Sequence, residues 1–111
     1  MRKPRFELFA SDKGGWTFRL KSPNWVVMLN GRTYETKHEA LHAIASLMRY
    51  GKMQSQYKMR EEVTGGYCFR IYSPAGVLLG WSNTYETKRD REIAMRAVIL
   101  AVTTGRVSEG S

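Results

Sequence analysis

The chain has 111 residues, 42% of them apolar, enough for one globular domain with its own core. A single cysteine, Cys68, excludes an internal disulfide framework and a zinc site built from several cysteines. Eighteen Lys and Arg against ten Asp and Glu give a net charge of +8, which points to a polyanionic partner: nucleic acid or an acidic protein surface.

Residues 1–5, Met1-Arg2-Lys3-Pro4-Arg5, read as a basic N-terminal arm. No apolar run follows them, so no signal peptide is expected, and the stretch from Ala97 to Val102 is too short to span a bilayer. A cytoplasmic location is the expectation. Phe6 to Ala10 has strand character, with Phe6 and Leu8 on one face. Ser11 to Gly15 is a turn ending in two glycines. Trp16 to Lys21 alternates: Trp16, Phe18 and Leu20 point one way, and Thr17, Arg19 and Lys21 the other. Ser22-Pro23-Asn24 turns the chain, and Trp25 to Leu29 is a third strand ended by Asn30-Gly31. Thr36-Lys37-His38-Glu39 has the spacing of a helix-opening capping box. Ala40, Leu41, Ile44, Leu47 and Met48 then form one apolar stripe, closed by Gly51.

The same succession returns. Gly14-Gly15-Trp16-Thr17-Phe18-Arg19 is matched by Gly65-Gly66-Tyr67-Cys68-Phe69-Arg70, and Thr33-Tyr34-Glu35-Thr36-Lys37 by Thr84-Tyr85-Glu86-Thr87-Lys88. Residues 6–51 set on 57–102 without a gap give 13 identities in 46 pairs, against roughly three by chance. Tyr57 to Met59, Tyr67 to Tyr72 and Val77 to Leu79 are the second set of strands, the last ended by Gly80. Thr87 caps a second helix running from Lys88 to about Val102. Residues 52–56 link the repeats, and residues 106–111 read as a frayed tail. One repeat cannot bury both its strands and its helix. The expected fold is therefore α+β: two tandem β-β-β-α repeats within one domain (6–105), sharing an antiparallel sheet of about six strands with two helices on one face.

These motifs resemble the YegP-like family: short β-β-β-α units of uncharacterised function, often in tandem. The matching residues are Trp16, Phe18, Arg19, Leu20, Tyr34, Thr36, Lys37, Ala43 and Ile44, then Tyr67, Phe69, Arg70, Ile71, Tyr85, Thr87, Lys88, Ala94 and Met95. The chain departs from the family pattern at Asn24-Trp25 and Ala75-Gly76, where Asn-Gly is expected. The resemblance implies one sheet made from two units, with terminal strands exchanged between them. It supplies no catalytic residues.

No catalytic constellation is legible, so an enzyme is not expected, nor a cofactor, a metal or a small-molecule substrate. His38 and His42 stand four apart on a helix without a third ligand nearby in sequence. Cys68 has no neighbouring histidine. The glycine pairs lack a following Gly-Lys-Ser/Thr and read as hairpin turns. What remains is the polar side of the alternating strands. Arg19, Lys21, Arg70 and Tyr72 are expected on an open sheet face, and with Arg2, Lys3 and Arg5 of the arm they are the candidate partner-binding residues. A competing use for the arginines is pairing with Glu7 or Glu61 across the sheet. The function read from the sequence is a small basic non-enzymatic binding module, with nucleic acid the leading partner. The alternative is a protein-interaction module, such as a phage or mobile-element inhibitor of a larger complex.

Overall fold

A computed structural model describes residues 3–109. In chain order the elements are β1 (Arg5–Ala10), β2 (Trp16–Lys21), β3 (Val27–Asn30), α1 (Lys37–Tyr50), a single 3-10 turn (Gln54–Gln56), β4 (Tyr57–Glu61), β5 (Tyr67–Tyr72), β6 (Leu78–Trp81), α2 (Lys88–Thr104) and β7 (Arg106–Glu109). β2 and β5, β3 and β6, and α1 and α2 each begin 51 residues apart. The seven strands form one sheet in the order β4-β5-β6-β3-β2-β1-β7. Two three-stranded meanders thus meet at a β3–β6 seam.

Three expectations need correction first. The sheet is mixed rather than antiparallel throughout, because β7 pairs parallel with β1, Phe6 opposite Val107 and Leu8 opposite Glu109. The expected frayed tail supplies this seventh strand. Its polar composition hides it, but β1 would otherwise leave a row of backbone groups unpaired. Arg5, assigned to the arm, is the first residue of β1 and pairs with Lys21.

Local chemistry sets the remaining boundaries. The Thr36 hydroxyl accepts from Glu39 N at 3.1 Å and donates to the Glu39 carboxylate, so the capping box forms. Thr87 accepts from Asp90 N at 3.0 Å. Just before each helix the chain bridges back to a β2 or β5 end: Trp16 and Tyr34 exchange both backbone hydrogen bonds at 2.7 Å, as do Tyr67 and Tyr85. That return passes so close to Gly15 that a Cβ there would stand 2.5 Å from Tyr34 O, which is why the turn needs glycine.

β3 starts two residues later than expected. Trp25 belongs to the preceding turn, with φ of 68°, a left-handed conformation that Gly76 adopts at the matching place in the second meander. β6 runs one residue past Gly80, to Trp81. A Cβ on Gly80 would lie 3.0 Å from Asn30 O and 3.1 Å from the Leu29 side chain. The glycine marks close approach at the seam, not a stop.

One core lies between the sheet and both helices. Phe6, Leu8, Phe18, Leu20, Leu29, Phe69, Ile71 and Leu79 from the strands meet Ala40, Ile44, Leu47, Met95, Val98 and Val102 from the helices. Leu41, placed in the apolar stripe of α1, is exposed. With both helices on one face, the other face stays open. No helix among the described residues is long and apolar enough to cross a membrane.

Candidate anion-binding face

Directly opposed residues in a sheet share a face, so the pairings can be followed across the strands. Lys58 of β4 pairs with Arg70 of β5, Arg70 with Trp81 of β6, Trp81 with Asn30 of β3, Asn30 with Arg19 of β2, and Arg19 with Glu7 of β1. The neighbours Phe18, Leu20, Phe69 and Ile71 are buried on the helix side, so this row lies on the open face. It reads Lys58, Arg70, Trp81, Asn30, Arg19, Glu7. An aromatic ring and an amide sit at the seam, with a guanidinium on either side. Three strand spacings separate Arg19 from Arg70, about 14 Å.

No carboxylate among the described residues holds either arginine: neither Arg19 nor Arg70 is in a salt bridge. Glu7, the carboxylate beside Arg19, instead binds Lys21 at 3.0 Å, and the Arg19 guanidinium lies 5.0 Å from the Phe9 ring centroid. The seam is held by amides. Asn30 Nδ2 donates to Asn83 Oδ1 at 3.1 Å, and Asn83 Nδ2 donates to Val27 O at 3.3 Å.

The other candidate residues are not gathered with this row. Lys21 and Tyr72 stand two residues beyond Arg19 and Arg70 on strands that run in opposite directions, so they mark opposite ends of the face. Lys21 joins a second cluster. Arg5 stacks on the Trp25 ring, its guanidinium carbon 3.4 Å from the centroid, and Lys21 Nζ is 5.7 Å from the same ring. Lys3 lines the hollow beside them with Ser22 and Pro23. Tyr72 borders a different hollow, of about 660 Å³, next to Lys58 and Arg60, and its carbonyl accepts from Gln56 Nε2 at 2.8 Å. Arg2 lies outside the described residues.

Cys68 shares the open face by alternation yet is only 7% exposed. Its thiol donates to Glu62 Oε1 at 3.2 Å. Burial first, then that hydrogen bond and the Glu62 charge, push the thiol pKa up, against a smaller opposing effect of Arg70 and Arg60. A thiol so held is a poor nucleophile at neutral pH. His38 and His42 line a hollow with Tyr34, Glu39 and Ser73. Among the described residues, no three His, Cys, Asp or Glu side chains gather closely enough to hold a metal ion.

Sequence reading missed Trp81, Asn30 and Lys58. The signal is present in part: the 51-residue offset sets Trp81 on Asn30, but Gly80 reads as the strand's end.

A mixed seven-stranded sheet with two helices on one face and a row of basic side chains on the other defines a small α+β protein with an open sheet surface. The chain is similar to the YegP-like family in sequence and in fold. A family model described as a domain of unknown function, DUF1508, matches residues 11–57, from the β1–β2 turn to the first residue of β4. UPF0339 protein YegP of Escherichia coli K12 is 27% identical over 93 residues, covering 84% of each chain. UPF0339 protein PA0329 of Pseudomonas aeruginosa is 22% identical over 107 residues, 96% of this chain and 97% of that one. The solution NMR structure of the E. coli protein of unknown function yegP has a TM-score of 0.89 at 26% identity, over 100% of this chain and 97% of that one. The solution NMR structure of UPF0339 protein SO3888 from Shewanella oneidensis shares the fold, with a TM-score of 0.90 at 20% identity over 96% of this chain and 91% of the other.

Proposed function

We propose that this protein is a non-enzymatic binding module whose open sheet face takes a single strand of nucleic acid. The observation that carries the reading is the row Lys58, Arg70, Trp81, Asn30, Arg19 on an uncovered face, with both arginines outside any salt bridge among the described residues. Cations along a groove hold phosphates without regard to sequence, and an aromatic ring between them offers a base a stacking platform. The Arg5, Lys21 and Trp25 cluster repeats the cation-and-ring chemistry at one end of the face. The raised thiol pKa of Cys68 favours a binding role over nucleophilic catalysis. We also infer that the two β-β-β-α units are duplicated copies, supported by the constant 51-residue offset in sequence and in element starts. A protein of this kind would work in the cytoplasm.

The test uses labelled mixed-sequence single-stranded DNA and RNA, with anisotropy read at 50 and 200 mM salt and tryptophan fluorescence followed in parallel. Salt-sensitive binding is expected, with quenching that largely disappears in Trp81→Phe. Absence of binding at low salt, or binding insensitive to salt, ends the nucleic-acid reading.

A further inference from the structure

The two edges of the sheet are treated differently. At one edge β1 is covered by β7; at the other, β4 has no partner strand beyond it among the described residues. β1 and β4 hold matching places in the two units, and so do the helix starts Lys37 and Lys88. On the covered edge, Glu109 of β7 lies opposite Leu8 and forms a salt bridge with Lys37. Lys37 rests 5.5 Å from the Trp16 ring centroid. Lys88 rests 5.9 Å from the Tyr67 ring in the same relation, and no carboxylate among the described residues pairs with it. Leu8 is 1% exposed, whereas Met59, its counterpart on β4, is 42% exposed.

Among the described residues no segment is left over to cover this edge. By the 51-residue offset, the stretch corresponding to β7 is residues 55–58, which are spent on the connection out of α1 and on the first residues of β4. We infer that the β4 edge is a docking site for an extended peptide with an apolar residue followed two positions later by an acidic one, as in Val107-Ser108-Glu109. It adds as an eighth strand parallel to β4. In the register of β7 the apolar residue lies opposite Tyr57 and the acidic one opposite Met59, within reach of Lys88. The docked strand ends one residue short of Arg60, whose carbonyl already accepts from Arg91 Nη1 at 3.1 Å. Charge argues against a second copy as the occupant: two β4 strands paired antiparallel about Met59 would set Lys58 against Arg60.

The probe is the N-acetylated peptide Gly-Arg-Val-Ser-Glu-Gly-Ser, added to the isotope-labelled full chain at up to millimolar concentration. Saturable shifts are expected in the backbone amides of Lys58 and Met59. Changing the peptide's Glu to Lys should weaken binding about threefold or more, and Lys88→Glu should recover the altered peptide. Shifts confined to β1 would mean that the peptide displaces β7, and would overturn the inference. So would the absence of shifts at β4, indifference to the charge swap, or concentration-dependent self-association through β4 by sedimentation. None of these outcomes bears on nucleic-acid binding to the open face.

Discussion

Replacing Arg19 and Arg70 together by Ala tests whether the row on the open face holds phosphates. Arg19, Arg70 and Lys58 are the row's cations outside any salt bridge among the described residues. Each phosphate neutralised on a single strand contributes about −0.7 to the slope of log affinity against log salt. Three contacts give a slope near −2, so affinity should fall about twentyfold between 50 and 200 mM salt. The double variant keeps Lys58 alone, and its fall over the same range should be only about threefold. Neither arginine is buried in the core, so the variant's melting temperature should match the wild type. The assay is anisotropy of a labelled single strand, titrated at four salt concentrations. A variant slope equal to the wild-type slope would refute the assignment and direct attention to the Arg5, Lys21 and Trp25 cluster.

Three further outcomes concern the scaffold. A Cβ on Gly31 would lie 2.5–2.7 Å from three atoms of the fully buried Phe18 ring, so Gly31→Ala should cost about 2 kcal/mol, read as a melting-temperature drop of roughly 8 °C. An unchanged melt would mean that the ring has room to move. Thr36→Ala and Thr87→Ala should each cost about 1 kcal/mol in chemical denaturation, since each removes the hydrogen bond to the third helical amide. The Tyr57 hydroxyl donates to Gly51 O at 2.5 Å, and burial raises its pKa well above the ordinary value of 10.0. Its contribution to stability is therefore complete below pH 10 and is lost as pH rises beyond it, because the unfolded chain releases the proton first. Tyr57→Phe should flatten the alkaline loss of stability relative to the wild type, and equal slopes above pH 10 would contradict this.

Much of the scaffold is legible in the sequence because it rests on short-range signals. Phe18 and Phe69 alternate with Arg19 and Arg70, so one pair had to be core and the other surface. Thr36 and Thr87 announce the helix starts through capping chemistry. The parts that were not legible depend on neighbours distant in sequence. Residues Arg106–Glu109 lack strand propensity, and only an unpaired β1 explains their pairing. Gly80 looks like a terminator until β3 is known to pass within van der Waals contact. Trp25 looks like a strand residue, yet the turn puts it in a left-handed conformation, where its ring meets Arg5. The candidate site was half visible for the same reason. The arginines show in the local alternation, whereas Trp81 and Asn30 become its centre only once the two units meet.

That meeting has a functional consequence. Each half contributes one arginine to the central row, Arg19 from β2 and Arg70 from β5. Joining the units at β3 and β6 places the second arginine on the same row at about 14 Å, with Trp81 and Asn30 in the gap. The row exists only in the joined sheet, so its geometry depends on the seam between β3 and β6. Only the Asn30–Trp81 pair joins β3 to β6 in the ladder, with Gly80 permitting the close approach and the Asn30–Asn83 amides bridging it. Removing the exposed Asn30–Asn83 amide pair should disturb the spacing of Arg19 and Arg70 while leaving Phe18 and Phe69 buried. If the row holds phosphates as proposed, Asn30→Ala should weaken binding of a labelled single strand with little change in melting temperature, and unchanged affinity would count against the row.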